Sequence, residues 1–460
     1  MEATTDPVRL PPTAPIPGWA VAGALLLARN AGVRALGRRY GGAFTVKAPR
    51  GGSLVVICDP DLIKDLNATR SDLMVRPSTL GSVIGPGSTF SLHGAEHRQR
   101  RKLLMPAING RGVSRYEAIV EEEVLREAAS WPEGREFATQ ESMRRITLNI
   151  ILRAIFGAEG HDLEVLHELL PPMVVQASIL AMLPTRLRRD VGAWSPGGMH
   201  GRYRRRYDAV IKGLIAKARN DPDFDNRGDV LSLMLRARYD DGQPIADSHI
   251  GDELGTFLAA GHETTATALA WAVERLCRHP VLLERLVAEV DAGGSELLQA
   301  TVWEVLRTRP VIEGYERFTL DQVRLGPWVL PKNQLIAVSM VLAHVDDQNY
   351  PHAARFDPDR FVGSPPDSSL WVPYGGGIHR CIGAAFANME MLVTLRTLLR
   401  HFTFIATDAK DERNRTRSVT TSPARGGRAL LYRRSARSTR PDPVVTATVS
   451  LPAEDEPLSV

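Results

Sequence analysis

A cysteine placed directly after a glycine-rich turn and before a helix is set up to act as a thiolate. The stretch Trp371 to Glu390, WVPYGGGIHRCIGAAFANME, puts Cys381 in that position. Gly375, Gly376 and Gly377 let the backbone reach positive φ and pass close to a flat ligand. From Ile382 onward Ala384, Ala385, Ala387, Met389, Met391 and Leu392 favour helix. A thiol at a helix N-terminus meets unsatisfied N–H groups and the positive end of the dipole, and both favour the ionised sulfur that a metal requires. The simpler reading is a structural, buried cysteine. A phosphate loop is excluded, because neither Lys-Ser nor Lys-Thr follows the glycines.

Three further groups have spacings with chemical content. His97 and Arg101 stand at i and i+4 in the basic run His97 to Lys102, on one face of an expected helix. Together they suit a carboxylate, although such a run also reads as a solvated face or a nucleic-acid patch. Gly261, His262, Glu263 and Thr264 lie in the middle of a long helical pattern. Gly261 costs about 1 kcal/mol there and so marks a close approach or a break in hydrogen bonding, while Thr264 could simply bond back to its own helix. Glu304 and Arg307 have the i, i+3 spacing of an ordinary ion pair.

The segment PYGGGIHRCIG resembles the haem-binding loop of the cytochrome P450 monooxygenases: an aromatic residue, a glycine, a basic residue, the cysteine and a glycine. Tyr374, Gly377, His379, Cys381 and Gly383 fill those positions in register. Two depart from the commonest form, with tyrosine for phenylalanine and histidine for arginine. The tyrosine hydroxyl needs a partner, and His379 can still donate to a haem propionate, with a charge that depends on pH. The resemblance implies heme b with Cys381 as its axial thiolate. It also implies that His97 and Arg101 grip the propionates, as in the family's His-x-x-x-Arg pair. Arg317, ten residues after Arg307, falls where many members place another propionate-binding arginine; otherwise it is an exposed strand residue. The stretch around Gly261 resembles the Ala-Gly-x-Asp/Glu-Thr-Thr motif, which implies that Thr264 hydrogen-bonds dioxygen and Glu263 relays protons. Arg360 in Phe356 to Phe361 would join Glu304 and Arg307 in a buried, structural charge cluster. Arg98 and Lys102 would face an acidic redox partner.

At 460 residues the chain is about three times the usual length of a domain. The resemblance argues for one large unit: a Pro-rich lead and early helix over 1–39, a single haem-thiolate domain over 40–434 and a disordered polar tail over 435–460. With 43% hydrophobic and 24% charged residues the composition is ordinary for a globular protein. Net charge is only +4, so it gives no support to nucleic-acid binding. Fifty of the 57 basic residues are arginine, a bias that points to a GC-rich bacterial source. Cys58, Cys277 and Cys381 are too few for a disulfide framework, and a cytoplasmic protein is expected. The apolar run Trp19 to Ala28 is too short for a transmembrane anchor and reads as the early helix.

In chain order, Gly41 to Asp59 reads as a hairpin and Arg70 to Gly94 as a long functional loop. Helical patterns fill Tyr116 to Phe156, broken at Trp131 to Gly134, and alternate with turns from His161 to Asn220. Pro244 to Pro280 contains the longest helix, opened by Asp247 or Ser248 as cap. Gly314 to Val341 reads as short strands, and Thr416 to Arg434 as a closing hairpin. The fold expected from the family is mainly α with a smaller β-rich lobe near the N-terminus, the cytochrome P450 fold, with haem between the long helix and the Cys381 loop. The resemblance implies a lid formed by the 161–220 region and a monooxygenase that uses dioxygen to oxidise an apolar small molecule such as a lipid, steroid or secondary metabolite. Electrons would come from a separate ferredoxin and ferredoxin reductase or another flavoprotein. A peroxide-driven haem-thiolate enzyme and a non-catalytic haem sensor or carrier remain the alternatives.

Overall fold

The computed structural model describes residues 1–15, 29–47, 52–69, 72–77, 80–183, 185–417 and 419–434. At its centre runs the helix Asp247–Leu276. Ile250, Leu254, Leu258, Leu269, Trp271, Val273 and Leu276 are all buried, covering several faces, as in a helix enclosed by others. Helices Gln140–Ile150, Glu296–Thr308 and Ala384–His401 pack around it. Neither expected residue caps it. Ala246 holds the cap position without a side-chain bond, and Asp247 lies inside the first turn, where Arg219 donates to its carboxylate at 2.6 and 2.8 Å. A negative charge there still complements the helix dipole.

The expected hairpin forms, with Ala43–Lys47 antiparallel to Ser53–Ile57 and Phe44 opposite Val56. Ser53–Ile57 then pairs in parallel with Leu335–Ser339, which pairs with Gly314–Thr319, and that with Met74–Val75. The β lobe is therefore drawn from both ends of the helical body, and only partly from the N-terminus. Parallel strands require a long crossover. Here most of the helices lie within that crossover. The Arg70 to Gly94 segment is likewise not loop throughout, for it supplies the strand Met74–Val75 and a helical turn, Gly81–Ile84. The prolines of the lead are tolerated because Glu2–Ala3 forms only an edge pairing, with Val323–Leu325.

Elsewhere the expectations are refined. Two long helices, Gly160–Met182 and Pro196–Asn220, pack together, and Pro171 and Pro172 lie inside the first instead of in a turn. Gly160–Ala181 is long and apolar enough to cross a membrane, by length and composition. The closing segment is not one hairpin. Asn414–Arg417 pairs with Thr420–Pro423, Arg428–Ala429 with Phe137–Ala138, and Leu431–Arg433 with Phe402–Phe404. A helix spans Arg29–Tyr40; the early helix expected at Trp19 to Ala28 and the tail 435–460 lie outside the described residues.

Candidate active site

The Cys381 loop is shaped by its contact with the helix Pro60–Asn67. Gly375 and Gly377 have φ of 69° and 62°, so glycine relieves backbone strain at both. Gly376 is extended, and its reason is space: a Cβ there would stand 2.0 Å from the Asn67 amide nitrogen, and one on Gly377 2.2 Å from the Asn67 carbonyl oxygen. The glycine run, expected to admit a flat ligand, admits Asn67. Asn67 is held in turn by the Tyr315 hydroxyl, which donates to its side-chain oxygen at 2.8 Å. Past the short turn Gly377–His379, the Cys381 N–H donates to the Tyr374 carbonyl at 2.8 Å, and the helix Ala384–His401 begins. Gly383 is the open position, since a Cβ there would meet nothing within 4 Å.

Cys381 is exposed, while Cys277 is buried and Cys58 half-buried. Although solvent can reach it, enough protein surrounds the sulfur that desolvation pushes its pKa above the ordinary 9.0. A Gly383 N–H, Arg101 and Arg380 pull the other way. The helix start therefore moderates the cost of a thiolate without making one spontaneously. Binding to a metal cation would deprotonate the sulfur outright. The Tyr374 ring packs edge-on to Trp371 at 5.7 Å, and its buried hydroxyl has no partner among the described residues.

Positive groups from four segments converge beside this loop. His97 and Arg101 share one face of the helix Gly94–Ile108, as their spacing requires. The His97 ring lies 4.5 Å from that of His379, and the Arg101 guanidinium donates to the Arg380 carbonyl at 2.8 Å. Arg317 is buried in its strand, stacks over Tyr315 at 4.9 Å and lines a small cleft with Gly376, Gly377, Ile378 and His379. It is not the exposed strand arginine that was the alternative. Arg76, which no pattern singled out, completes the group. It lies over Phe90 at 4.9 Å and donates to the Thr89 carbonyl. Burial depresses its pKa to about 10, with Arg317 and Arg101 adding to the effect and Glu253 opposing it.

The same crowding holds the histidines neutral. Burial, then Arg76, Arg101, His93 and Arg317, take His97 down to about 3. Burial, then Arg317, Arg76, His97 and Arg101, take His379 down to about 2. As it stands His379 carries no charge near neutral pH, and it would donate to a propionate as a neutral N–H. Nδ1 of each histidine and Nε of Arg76 are buried without a partner among the described residues.

Sequence reasoning also missed Arg100, although its i+3 spacing from His97 was legible. It is buried, donates to Glu253 at 3.1 Å, to the Gly87 carbonyl at 2.7 Å and to the Tyr239 hydroxyl at 2.9 Å, and so ties the basic helix to the long helix. Burial raises Glu253 to about 7 despite Arg100. Lys102, expected to face a partner, pairs with Asp240 at the surface.

In the long helix the Thr264 hydroxyl donates to the Ala260 carbonyl at 2.5 Å, the back-bonded arrangement. Its oxygen lone pairs remain available as acceptors. The Glu263 carboxylate is clamped by Arg144, with Nε at 2.8 Å and Nη2 at 2.7 Å. In this conformation it is engaged in an ion pair and is not a free proton carrier. Thr147 donates to the His262 carbonyl at 3.1 Å, and a Cβ on Gly261 would stand 3.3 Å from Ile151, where the neighbouring helix widens into a π turn. Gly261 thus eases the approach of that turn.

On the other side of the Cys381 loop, Arg307 donates to Glu304 at 2.7 and 2.8 Å, with both side chains fully buried, and Arg360 approaches Glu304 at 3.4 Å. Glu390, two turns into the cysteine-loop helix, is buried, has one oxygen without a partner among the described residues, and has a pKa raised well above 4.5 by burial. Its folded pKa is raised, so the stability it contributes is complete below pH 4.5 and declines as the pH climbs toward the folded value. Glu390→Gln is expected to melt higher than wild type at about pH 8 and to match it near pH 4. Equal melting temperatures at both pH values would show that Glu390 is solvated.

The residues fit a haem. An excess of buried positive charge with unpartnered ring nitrogens suits two propionates, Gly383 leaves room beside the sulfur, and Cys381 is the exposed thiol. The comparisons with known proteins agree. A cytochrome P450 family model matches residues 11–427. The Mycobacterium tuberculosis protein provisionally named cytochrome P450 138 is 48% identical over 430 residues, covering 93% of this chain and 97% of its own. Another from that organism, provisionally named cytochrome P450 135B1, is 36% identical over 407 residues, covering 85% and 84%. In fold, the solved structure of retinoic-acid-bound cyanobacterial CYP120A1 superposes with a TM-score of 0.78 at 21% identity, covering 93% of this chain and all of that one. The cysteine loop, the helical body with its smaller sheet and the sequence match over most of the chain lead to one conclusion: this chain belongs to the cytochrome P450 family.

Proposed function

We propose that the chain is a haem-thiolate monooxygenase that oxidises an apolar small molecule, with residues 40–434 acting as one domain. The observation that carries this reading is the convergence on the loop of the exposed Cys381 of His97 and Arg101, from one helix, and of Arg317, from a strand far along the chain. Cys381 would ligate the iron of heme b, with His97, Arg101, Arg317, His379 and Arg76 receiving the propionates and Tyr374 and Gly383 shaping the loop. Haem bound this way supplies the oxidising chemistry, because a thiolate ligand favours O–O cleavage.

The chain's own side chains supply the rest. Thr264, already donating to Ala260, offers its oxygen as a hydrogen-bond acceptor beside the long helix. Proton delivery through Glu263 requires the Arg144 clamp to open. The first lid helix, rich in aliphatic residues, would exclude water and receive an apolar substrate. Two-electron reduction by a separate ferredoxin and its reductase, or by another flavoprotein, completes the expected system.

The test uses the haem-loaded protein with a ferredoxin, its reductase and NADPH, and apolar compounds chosen by the Soret shift they cause. Labelled oxygen from dioxygen should appear in the product. Thr264→Val should keep its haem yet lower the product formed per NADPH consumed, because the variant loses the hydroxyl that would handle a proton there. Product formed only with added peroxide would establish the peroxide-driven alternative, and ligand binding without any turnover the sensor or carrier.

A further inference from the structure

We propose that Arg204 latches the second lid helix, Pro196–Asn220, to the long helix, and releases it by turning from Asp252 to Asp208. The buried Asp252 carboxylate on the long helix accepts from two directions: the Gly87 N–H at 2.8 Å and Nη2 of Arg204 at 2.5 Å. The chain up to Gly87 is pressed onto the long helix, since a Cβ on Gly85 would collide with that carboxylate and one on Gly87 with His249. Arg204 also donates to the Ile84 carbonyl, and Nε2 of His200 donates to the Val83 carbonyl at 3.2 Å. The helical turn Gly81–Ile84 is thereby fastened to the lid helix, and Asp252 stands beneath both.

Burial makes the turn and the lid helix part from Asp252 together. If Arg204 left alone, the turn would still cover Asp252 and strand an unpaired charge away from water. If the turn leaves with it, water reaches the carboxylate and replaces both bonds. Arg204 also has a second seat. Its Nε already donates at 2.7 Å to Asp208, one turn along the same helix and 49% exposed, so the freed Nη2 can complete a bidentate pair there. Neighbouring bonds set the limits of the movement. Ser88 shares a hydrogen bond with Thr256 at 2.6 Å, Thr89 donates to Glu253 at 3.2 Å, and Arg100 holds the Gly87 carbonyl at 2.7 Å. On the lid helix the buried Tyr207 donates to the Gly251 carbonyl at 2.8 Å. Residues 81–86 and 196–204 lie before these anchors, and Gly85, whose φ of 146° favours glycine, is the hinge. The monooxygenase reading gives such an opening a use, the entry of an apolar substrate, but the latch itself does not depend on that reading.

Hydrogen exchange of the haem-loaded, full-length protein, read by mass spectrometry on peptides from 81–87 and 196–204, tests it. Asp252→Asn lies on neither peptide, yet it should raise exchange in both by about tenfold, the scale of one charge-assisted hydrogen bond. Asp208→Asn should do the reverse and lower exchange in both about twofold, because the open state loses the completed pair on the lid helix. The proposal fails if Asp252→Asn changes one peptide alone or neither, since the turn and the lid helix would then move independently or be held elsewhere. It also fails if Asp208→Asn raises exchange, for Asp208 would then only brace the closed state. Asp208 lies at the surface, so this variant folds and decides the matter even if Asp252→Asn lowers the melting temperature of the whole protein.

Discussion

Cys381→Ala should abolish the reduced, carbon-monoxide-bound Soret band at the wavelength that gives the family its name, while the far-ultraviolet circular dichroism stays that of wild type. The loss should be complete, because no other cysteine can substitute. Cys58 is pushed up to about 12 by burial and by Asp346 and Asp59, and Cys277 to about 12 chiefly by burial. Cys277 has only Arg278 in its favour, against the Gly383 N–H, Arg101 and Arg380 that all favour ionised sulfur at Cys381. Folding should survive, because the loop is held by the Cys381 N–H bond to Tyr374 and by Asn67 against the glycines, and none of these uses the thiol. A persisting band in the variant would refute thiolate ligation through Cys381. An unfolded variant would instead show that the sulfur has a packing role, and Cys381→Ser would separate the two by restoring volume without a thiolate.

Glu304→Gln is expected to destabilise the protein by about 3–5 kcal/mol, read as a lower urea midpoint. Glu304 and Arg307 have fully buried side chains, so neutralising the acid leaves a guanidinium in the interior without its counter-charge. Arg307 cannot move out to water, because it also donates to the carbonyls of His344, Ala353 and Arg355 at 2.5, 2.9 and 3.1 Å. Glu304 in turn accepts the Asp357 N–H at 2.8 Å and so fastens the segment that carries Arg360. The cluster is structural on this account: whatever fraction of the variant folds should keep the wild-type carbon monoxide spectrum. A midpoint shifted by less than about 1 kcal/mol would mean that water reaches the pair, as for a surface ion pair.

What the sequence by itself determined was local. The cysteine loop, the face shared by His97 and Arg101, the Glu304 and Arg307 pair, the hairpin at Gly41 to Asp59 and the long central helix each follow from a few neighbouring residues and a known period, 3.6 or 2. Tertiary structure decided what each group meets. Arg100 and Arg101 are adjacent in one basic run, yet one is buried against Glu253 and the other reaches the Cys381 loop. Nothing local distinguishes such partners, because ion pairing depends on distance and burial. The resemblance implies that Glu263 relays protons and that Thr264 meets dioxygen, with a bond back to its own helix as the alternative for Thr264; the fold pairs the first with Arg144 and shows the second in the back-bonded arrangement. The glycines were read as room for a ligand, and the fold fills part of that room with Asn67. Arg76 had no pattern at all. It joins the cation cluster because Met74–Val75 pairs with Phe318 and Thr319, next to Arg317, a pairing set by hydrogen bonds between segments far apart in the chain.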